Sequence, residues 1–245
     1  MMKSLIHELK NMGMINLKVS LEDEGVSLDY FRHHTRFSSL NSLPFAVKVG
    51  GCEAKTDINL ALKEGAQKIV APMIESRFAA EKFMNYVKDI PVQKFLLLES
   101  ETAVHNAEDI LFNTKDLDGV VVGRSDLCGS LGMTKKNVDD KDIVDRVESV
   151  FRVAKRAGLA TIMGGSISLK SVEPIAYLKD KMLLDMFETR KAIFHVGDEM
   201  PNLELLISKA LQFEAQFIKG YNDGLESVVQ LNNERISTLS RRGNT

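Results

Sequence analysis

The sequence predicts an α/β fold, a (β/α)8 TIM barrel, and three features lead to this prediction. Short apolar runs alternate with segments of helical periodicity, which is the pattern of βα units around a parallel sheet. The clearest runs, residues 95–98 and 120–122, are unbroken stretches of Phe, Leu and Val, as expected of strands buried on both faces. The chain length of 245 residues matches one such barrel. We therefore interpret residues 1–245 as a single barrel domain.

The candidate strands follow one another along the whole chain. They begin near Asn16, Phe45, Lys68, Phe95, Gly119, Leu159, Met182 and Lys191. Residues 188–190 alone separate the last two runs, and no helix fits into so short a connection. These two runs are therefore either one bent strand or strands seven and eight in an atypical arrangement.

Helices are predicted between the strands and at both ends of the chain. Between the strands, helical periodicity covers residues 56–64, 77–87, 101–112, 143–157 and 169–178. Residues 1–13 form an amphipathic pattern, and residues about 202–241 predict a long C-terminal helical extension. Its apolar positions mostly follow one another at intervals of three or four residues: Leu206, Ala210, Phe213, Phe217, Val228 and Leu231. Two glycines, Gly220 and Gly224, interrupt this spacing. This helix is longer than one barrel wall, so we expect it to hold a homo-oligomer together.

Composition and charge argue against several classes of function. The net charge of −2 comes from interspersed charges, which gives no electrostatic footprint for nucleic acid or an anionic membrane. The apolar runs are too short for a signal or membrane-spanning segment. Cys52 and Cys128 lie outside any metal-type spacing, as is usual in a reducing compartment. We expect a cytoplasmic protein whose partners are small molecules and copies of itself.

Two carboxylates directly follow the two clearest strands. Glu99 ends the run at residues 95–98, and Asp126 follows the run at residues 120–122. The carboxyl ends of parallel strands form the edge where α/β barrels bind ligands. One or two carboxylates typically hold Mg2+ in proteins, with waters or substrate oxygens in the other positions. The sequence therefore predicts that Glu99 and Asp126 bind Mg2+, Mn2+ or another divalent cation, the alternative being that they cap the following helices.

Two cationic residues at strand ends are the other catalytic candidates. Lys48 follows the second predicted strand and could serve as a substrate-binding cation, a Schiff-base nucleophile or an ion-pair partner of Glu22. Arg124, two residues before Asp126, could bind a substrate carboxylate or pair with an acidic neighbour. We predict a catalytic role for both.

Several residues in the remaining loops are candidates for binding substrate. Glu75 either contacts the ligand or hydrogen-bonds a neighbouring loop, and the glycine turns either cradle a carboxylate or merely allow the chain to bend. The charged segment 188–191 is interpreted as a solvated loop, with a substrate-facing role as the alternative. The predicted substrate-binding residues are Glu75, Gly50, Gly51, Ser125, Gly165 and Ser166.

Three segments of the chain form an ordered set of motifs. They are Ala-Pro-Met-Ile-Glu-Ser at residues 71–76, Glu-Ser-Glu-Thr-Ala-Val-His-Asn at 99–106, and Gly-Arg-Ser-Asp-Leu with Ser-Leu-Gly at 123–132. Together they resemble the HpcH/HpaI aldolase and citrate lyase β-subunit family over about residues 16–165, and Leu-Glu-Asp at 21–23 resembles its citrate lyase branch. The resemblance implies a (β/α)8 barrel that binds a divalent metal at Glu99 and Asp126. It also implies a 2-oxo acid or thioester substrate and carbon–carbon bond chemistry through an enolate.

The chain departs from that family pattern at two catalytic positions. Lys48 stands where the resembling aldolases have an arginine, and the family's catalytic histidine segment has no match. A lysine offers a point charge instead of a bidentate fork. The predicted function is a divalent-metal-dependent carbon–carbon lyase of the aldolase type. The alternatives are a ligand-binding or regulatory subunit that has lost this chemistry, and an aldolase that uses Lys48 as a Schiff base.

Overall fold

The computed structural model describes residues 2–197 and 202–243, with side chains described as far as residue 237. Within these residues, eight strands close into one barrel in the order of the chain, so the predicted closed barrel is confirmed. The strands are β1 (Met14–Ser20), β2 (Phe45–Lys48), β3 (Lys68–Ala71), β4 (Gln93–Leu98), β5 (Gly119–Gly123), β6 (Ala160–Gly164), β7 (Met186–Glu188) and β8 (Ala192–His195).

Helices cover the outside of the barrel, both at the predicted positions and over residues 28–40 and 124–130, which are not among the segments of helical periodicity predicted from the sequence. Three of them begin after a serine whose side chain accepts a hydrogen bond from a backbone N–H of the first turn, namely Ser27, Ser76 and Ser100. The helices are α1 (Met2–Asn11), α2 (Leu28–Leu40), α3 (Lys55–Lys63), α4 (Arg77–Val87), α5 (Glu101–His105), α6 (Ala107–Asn113), α7 (Arg124–Ser130), α8 (Lys141–Arg156), α9 (Val172–Asp180) and α10 (Leu203–Gly243). Among the described helices, none combines the length and apolar character needed to cross a membrane.

The eighth strand runs against its neighbours. Strands β1 to β7 pair in parallel, whereas β8 is antiparallel to both β7 and β1. A parallel connection needs a crossover of a dozen or so residues, and the three residues between β7 and β8 can form only a hairpin. The rings of Phe187 and Phe194 stack across this hairpin with centroids 5.1 Å apart. Of the two arrangements left open by the sequence, the atypical pair of strands is correct, and the last βα unit of a regular (β/α)8 barrel is absent from the described residues.

Charged side chains occupy the interior face at the open end of the barrel. The interior core consists of apolar side chains that alternate along the strands with the outward-facing ones, among them Ala46, Leu97 and Met186. Two residues further along the same strands lie Lys48, Glu99 and Glu188, which therefore share this interior face. The alternation places the chemistry-bearing residues at the carboxyl ends of the parallel strands.

The long C-terminal helix packs on its own barrel for about its first half. Its residues Leu206, Ile207, Ala210, Phe213 and Phe217 are buried, and the Phe217 ring packs edge-on against Phe37 of α2 at 5.0 Å. Two apolar positions of the helix that we expect to hold the oligomer together, Phe213 and Phe217, are therefore not available to a partner subunit, because α2 of the same chain covers them.

The second half of α10 extends away from the barrel. Residues 222–237 are all exposed, including Val228 and Leu231, and the helix continues through Gly220 and Gly224 without a break. The predicted overhang is thus confirmed from about residue 222 onward.

Candidate functional site

A cavity of about 240 Å³ opens at the carboxyl ends of the parallel strands. Its lining is strongly charged, with an excess of acidic groups. The carboxylates are Asp23, Glu99, Asp126, Glu188 and Glu214, and the cationic side chains are Lys18, Lys48, Lys135 and Arg190. An anionic substrate therefore needs an additional cation in this cavity, or the loss of negative charge, before it can bind favourably.

Glu99 is the most deeply placed of the predicted metal ligands. It is only 3% exposed, and its Oε1 accepts a hydrogen bond of 3.2 Å from the backbone N–H of Met73. Met73 has a φ of +54°, so the loop after β3 takes a left-handed turn that directs this N–H toward β4. Burial raises the pKa of Glu99 to about 7, opposed by the charge of Lys48 and reinforced by Asp126.

Asp126 lies in the first turn of α7, which starts directly after β5. A Cβ atom at Gly123, the last residue of β5, would lie 2.7 Å from Glu99 Oε2, so glycine leaves the space that the Glu99 carboxylate occupies. Asp126, which lines the same cavity, raises the pKa of Glu99 chiefly by its negative charge. The structure thus brings the two predicted metal ligands together.

The chemistry of this pair fits a hard divalent cation. Two carboxyl groups in one small cavity repel each other when both are ionised, and a cation between them offsets that repulsion. Across the described residues, no group of three or more His, Cys, Asp or Glu side chains forms a candidate metal site. Glu99 and Asp126 would supply two carboxylates to Mg2+, which commonly takes water or substrate oxygens in its other positions.

Lys48 lines the same cavity as the two carboxylates, and its role as a substrate-binding cation stays a prediction. Its Nζ is 3.5 Å from Oδ2 of Asp23, and its charge acts on Glu99, whose pKa it lowers. The ion pair is therefore with Asp23 and not with Glu22, which was the partner considered from the sequence. Asp23 is 52% exposed, so this pair restrains Lys48 only weakly.

The predicted residues of the β5 and β6 loops also lie at the cavity. Ser125, Gly165 and Ser166 line it, and the Oγ atoms of Ser125 and Ser166 are 2.8 Å apart. Gly165 has a φ of +86°, and a Cβ there would lie 2.5 Å from the Ser125 nitrogen, so only glycine permits this close approach of the two loops. Their contact with substrate stays a prediction.

The comparison with protein families covers the part of the chain that carries Lys48, Glu99 and Asp126. The family model described as HpcH/HpaI aldolase/citrate lyase matches residues 42–176, from just before β2 into α9. The chain belongs to the HpcH/HpaI aldolase/citrate lyase family. The resemblance predicted from the three motifs is thereby confirmed. A search of curated protein sequences finds no significant relative.

Solved structures show that this family member shares the barrel fold of its relatives. The HpcH/HpaI aldolase from Desulfitobacterium hafniense DCB-2 is 14% identical, with a TM-score of 0.61 over 76% of this chain and 80% of that one. A variant of the citrate synthase SbnG is 17% identical, with a TM-score of 0.60 over 92% and 98%. A family protein from Burkholderia cenocepacia J2315 is 18% identical, with a TM-score of 0.54 over 76% and 91%.

The predicted catalytic role of Arg124 is contradicted by its burial. Its side chain is fully buried, lines no part of the cavity, and pairs with Asp139. The guanidinium also donates to the backbone carbonyls of Gly164 at 3.0 Å and Gly165 at 2.9 Å. The alternative, pairing with an acidic neighbour, is correct, but the partner comes from the segment before α8. Arg124 starts α7, and in this HpcH/HpaI family member it holds that helix to β6.

Three predicted substrate-binding residues also lie outside the cavity lining. Glu75 accepts a hydrogen bond of 2.5 Å from Ser100 Oγ, which is the neighbouring-loop alternative. The N–H of Gly50 donates to Asp57 Oδ2 at 2.7 Å, so it is not available to a substrate carboxylate. Gly51 is half-buried in the same turn and does not reach the cavity wall. Contrary to the prediction, these loops support the site from outside.

Sequence reasoning missed the interior charges contributed by β1 and the β7–β8 hairpin. Lys18 contacts Glu188, and Lys191 contacts Glu24, so most of the segment interpreted as a solvated loop is buried. Glu188, Thr189 and Arg190 line the cavity, which is the substrate-facing alternative. Lys18 had a usable signal, because it alternates with apolar neighbours in its strand. The position of Glu188 follows from the alternation with Met186 in β7, but its pairing with Lys18 of β1 had no signal in the sequence, because it depends on how β7, β8 and β1 close the barrel.

Proposed function

We propose that this HpcH/HpaI family member is a divalent-metal-dependent carbon–carbon lyase of the aldolase type, acting on a 2-oxo acid or related carboxylate through an enolate. The observation that carries the proposal is the juxtaposition of the Glu99 and Asp126 carboxyl groups, with Lys48 beside them, at the open end of the barrel. The family membership supports this class of reaction.

Glu99 and Asp126 are the residues that would hold Mg2+ or Mn2+. The bound cation supplies Lewis-acid stabilisation of negative charge on substrate oxygens. Met73 and Gly123 fix the position of Glu99, the first through its N–H and the second through the space that its missing side chain leaves. Glu99 therefore needs little reorganisation when a ligand binds.

Lys48 contributes positive charge where the substrate becomes negative. Cleavage of the C3–C4 bond of a 4-hydroxy-2-oxo acid leaves an electron pair on C3. Together with the C2 ketone this carbon forms an enolate, whose negative charge lies on the ketone oxygen. An ammonium group placed near that oxygen stabilises the charge more in the transition state than in the ground state. Lys48 supplies a single point charge and no bidentate fork, so the substrate carboxylate must be oriented by other groups. Ser125 and Ser166 line the cavity and are suitable donors.

The proposal is tested by following pyruvate release from 4-hydroxy-2-oxopentanoate, with lactate dehydrogenase as the coupling enzyme. We expect release with added Mg2+ or Mn2+ and its loss after chelation by EDTA. Activity that survives EDTA but is lost on borohydride treatment with substrate would favour Lys48 as a Schiff base. Binding of oxalate, which resembles pyruvate enolate, without turnover of any 4-hydroxy-2-oxo acid would favour a ligand-binding or regulatory subunit, the alternative suggested by lysine in the arginine position.

A further inference from the structure

The β7–β8 hairpin places two unpartnered polar atoms beside the cavity. Glu188 and Thr189 are each only 5% exposed, and both line the cavity wall. Within the described part of the chain, Glu188 Oε2 and Thr189 Oγ1 have no hydrogen-bond partner. Neither residue belongs to the pair of carboxylates that would hold the metal.

The two oxygens of Glu188 have different environments. Oε1 is held by Lys18 of β1, and it lies over Gly164, where a Cβ would approach it to 2.8 Å. Oε2 is the acceptor that this arrangement leaves unused. A buried carboxylate oxygen without a donor costs free energy, so its retention calls for an explanation, and a ligand or a catalytic role is one.

We propose that Glu188 is a catalytic residue that accepts the proton of the substrate hydroxyl during carbon–carbon cleavage. Thr189 hydrogen-bonds the same hydroxyl, and Lys18 is a positioning residue that holds the carboxylate. This inference rests on the proposed aldolase function. Glu188 ends β7 whereas Glu99 directly follows β4, so the two carboxylates come from strands that are not neighbours in the barrel. A substrate can therefore bind between them.

The proton transfer balances without any further reactant. The hydroxyl proton of a 4-hydroxy-2-oxo acid moves to Glu188, and the oxygen left behind forms a carbonyl with its own carbon. The bond between this carbon, C4, and C3 breaks. Its electron pair stays on C3 and forms the enolate with the C2 ketone, whose oxygen would lie near Lys48. After the carbonyl product leaves, the proton on Glu188 passes to the enolate carbon, which yields the 2-oxo acid and restores the carboxylate.

Two reactions separate this role from metal and enolate chemistry. Cleavage of 4-hydroxy-2-oxopentanoate requires removal of a hydroxyl proton, whereas decarboxylation of oxaloacetate gives the same pyruvate enolate without one. Both can be followed by the same coupled pyruvate assay in the metal-loaded protein. Glu188→Gln keeps the shape of the side chain but cannot accept the proton. We expect it to lower cleavage about a hundredfold or more, the scale of a lost general base, while decarboxylation stays within about threefold of wild type.

Two further variants control for the loss of a buried ion pair. The double variant Lys18→Met with Glu188→Gln removes both charges, so no unpaired lysine is left inside the barrel. We expect it to show the same selective loss of cleavage, which keeps the test open if Glu188→Gln alone unfolds. Glu24→Gln breaks the other interior pair, with Lys191, and Glu24 does not line this cavity. It should keep both activities within about threefold of wild type, since Glu24 is not in the lining of the cavity where the reaction would take place.

Three outcomes would overturn the assignment. One is cleavage by a folded Glu188→Gln or double variant within about tenfold of wild type, which a lost general base does not allow. The second is an equal loss of both reactions, which would mean that Glu188 only supports the fold of the site. The third is a wild-type protein that catalyses neither reaction with any divalent cation. Of the three, only this last result would also contradict the proposed function.

Discussion

The guanidinium of Arg124 lies 2.5 Å from the carboxylate of Asp139, measured from Nη1 to Oδ1, and this ion pair joins the start of α7 to the segment before α8. The side chain of Arg124 is fully buried and that of Asp139 is 12% exposed. Asp126 lies in the same helical turn as Arg124, so the pair also determines where that predicted metal ligand is placed. Arg124, for which the sequence predicts a catalytic role, therefore acts on the site indirectly, by holding in place the helical turn that carries Asp126.

We predict that Arg124→Met destabilises the protein by about 3–5 kcal/mol, the range found when one partner of a buried ion pair is removed. The variant would leave the Asp139 carboxylate uncompensated and the carbonyls of Gly164 and Gly165 without their donors. Urea denaturation measures the free energy of unfolding. The control Arg152→Met removes an exposed partner of Glu148 and should cost about 1 kcal/mol or less. If Arg124→Met instead has wild-type stability and a raised KM, the result would support the prediction that Arg124 contacts the substrate.

The paired carboxylates predict the behaviour of metal binding. We expect Glu99→Gln and Asp126→Asn each to weaken Mn2+ binding by at least about tenfold, because each removes half of a two-carboxylate site. Isothermal titration calorimetry measures the affinity. Glu75→Gln is the matched control, since this nearby carboxylate lies outside the cavity and should leave the affinity within about threefold of wild type. Wild-type affinity in either Glu99→Gln or Asp126→Asn would contradict the site.

The place of Lys48 at the cavity predicts a large effect on turnover. We expect Lys48→Met to lower kcat for 4-hydroxy-2-oxopentanoate by about a hundredfold or more, the scale of one lost oxyanion donor. Lys82→Met, which removes an exposed lysine paired with Glu53 on the outer surface, is the control and should be neutral. A fully active Lys48→Met protein would show that Lys48 serves only its ion pair with Asp23.

The parts of the fold that the sequence predicts are those that depend on local pattern. Strands buried on both faces must be continuously apolar, which made the runs at residues 95–98 and 120–122 visible, and the carboxylates that follow them meet because parallel strands end at one edge. Arg124 could not be placed in this way, because successive helical residues point about 100° apart and its direction depends on what lies beside α7.

Contacts between distant parts of the chain explain the other differences. Lys18 and Glu188 are 170 residues apart, and they meet only because β8 runs antiparallel between β7 and β1. The sequence could show that the connection between β7 and β8 was too short for a helix, but not which side chains the resulting hairpin would turn inward. A charged four-residue segment has the same composition whether it is solvated or pairs inside a barrel.

His34 predicts a specific dependence of stability on pH. Burial lowers the pKa of His34 to about 3, assisted by the charge of Lys191, and its Nε2 lies 3.0 Å from the carbonyl oxygen of Lys18. Below its ordinary pKa of 6.5, the unfolded chain binds a proton at His34 that the folded protein does not bind. The stability that this residue contributes is therefore complete above pH 6.5 and is lost as the pH falls toward 3.

We expect this residue to account for a loss of about 1.2 kcal/mol of unfolding free energy between pH 6 and pH 5. Urea denaturation of wild type and His34→Gln at these two pH values isolates it, because the other titrating groups are common to both proteins. The variant should show a slope smaller by that amount. His105→Gln, an exposed histidine of α5, should leave the slope unchanged. Equal slopes in wild type and His34→Gln would mean that His34 is protonated in the folded protein.

The overhang of α10 carries an apolar seam that the chain itself leaves uncovered. Leu225, Val229, Asn232 and Ile236 follow one another at intervals of four, three and four residues, the spacing of a coiled-coil seam, and all four are exposed. A single asparagine within such a seam is a known device for fixing the register of paired helices. Residues 222–243 extend about 33 Å beyond the barrel, long enough to pair along several turns. We therefore expect a second copy of this helix to cover the seam and hold a homo-oligomer together.

The structure also shows where the chain can be cut to test this. Removing all of α10 would strip Phe213 and Phe217 from the core, whereas a cut after Asn222 keeps Tyr221, which packs on Tyr30 at 4.7 Å. We expect light scattering to give a mass that is a multiple of the 27.3 kDa subunit for the intact chain and a monomer for the shortened one, with similar thermal stability of the barrel. Val229→Asp in the intact chain should also give a monomer, because it buries a charge in the seam, while Gln230→Asp beside it should not. If the intact chain is a monomer, or if both the shortened chain and Val229→Asp keep the intact assembly, α10 does not join the subunits and its apolar seam remains without a role in oligomerisation.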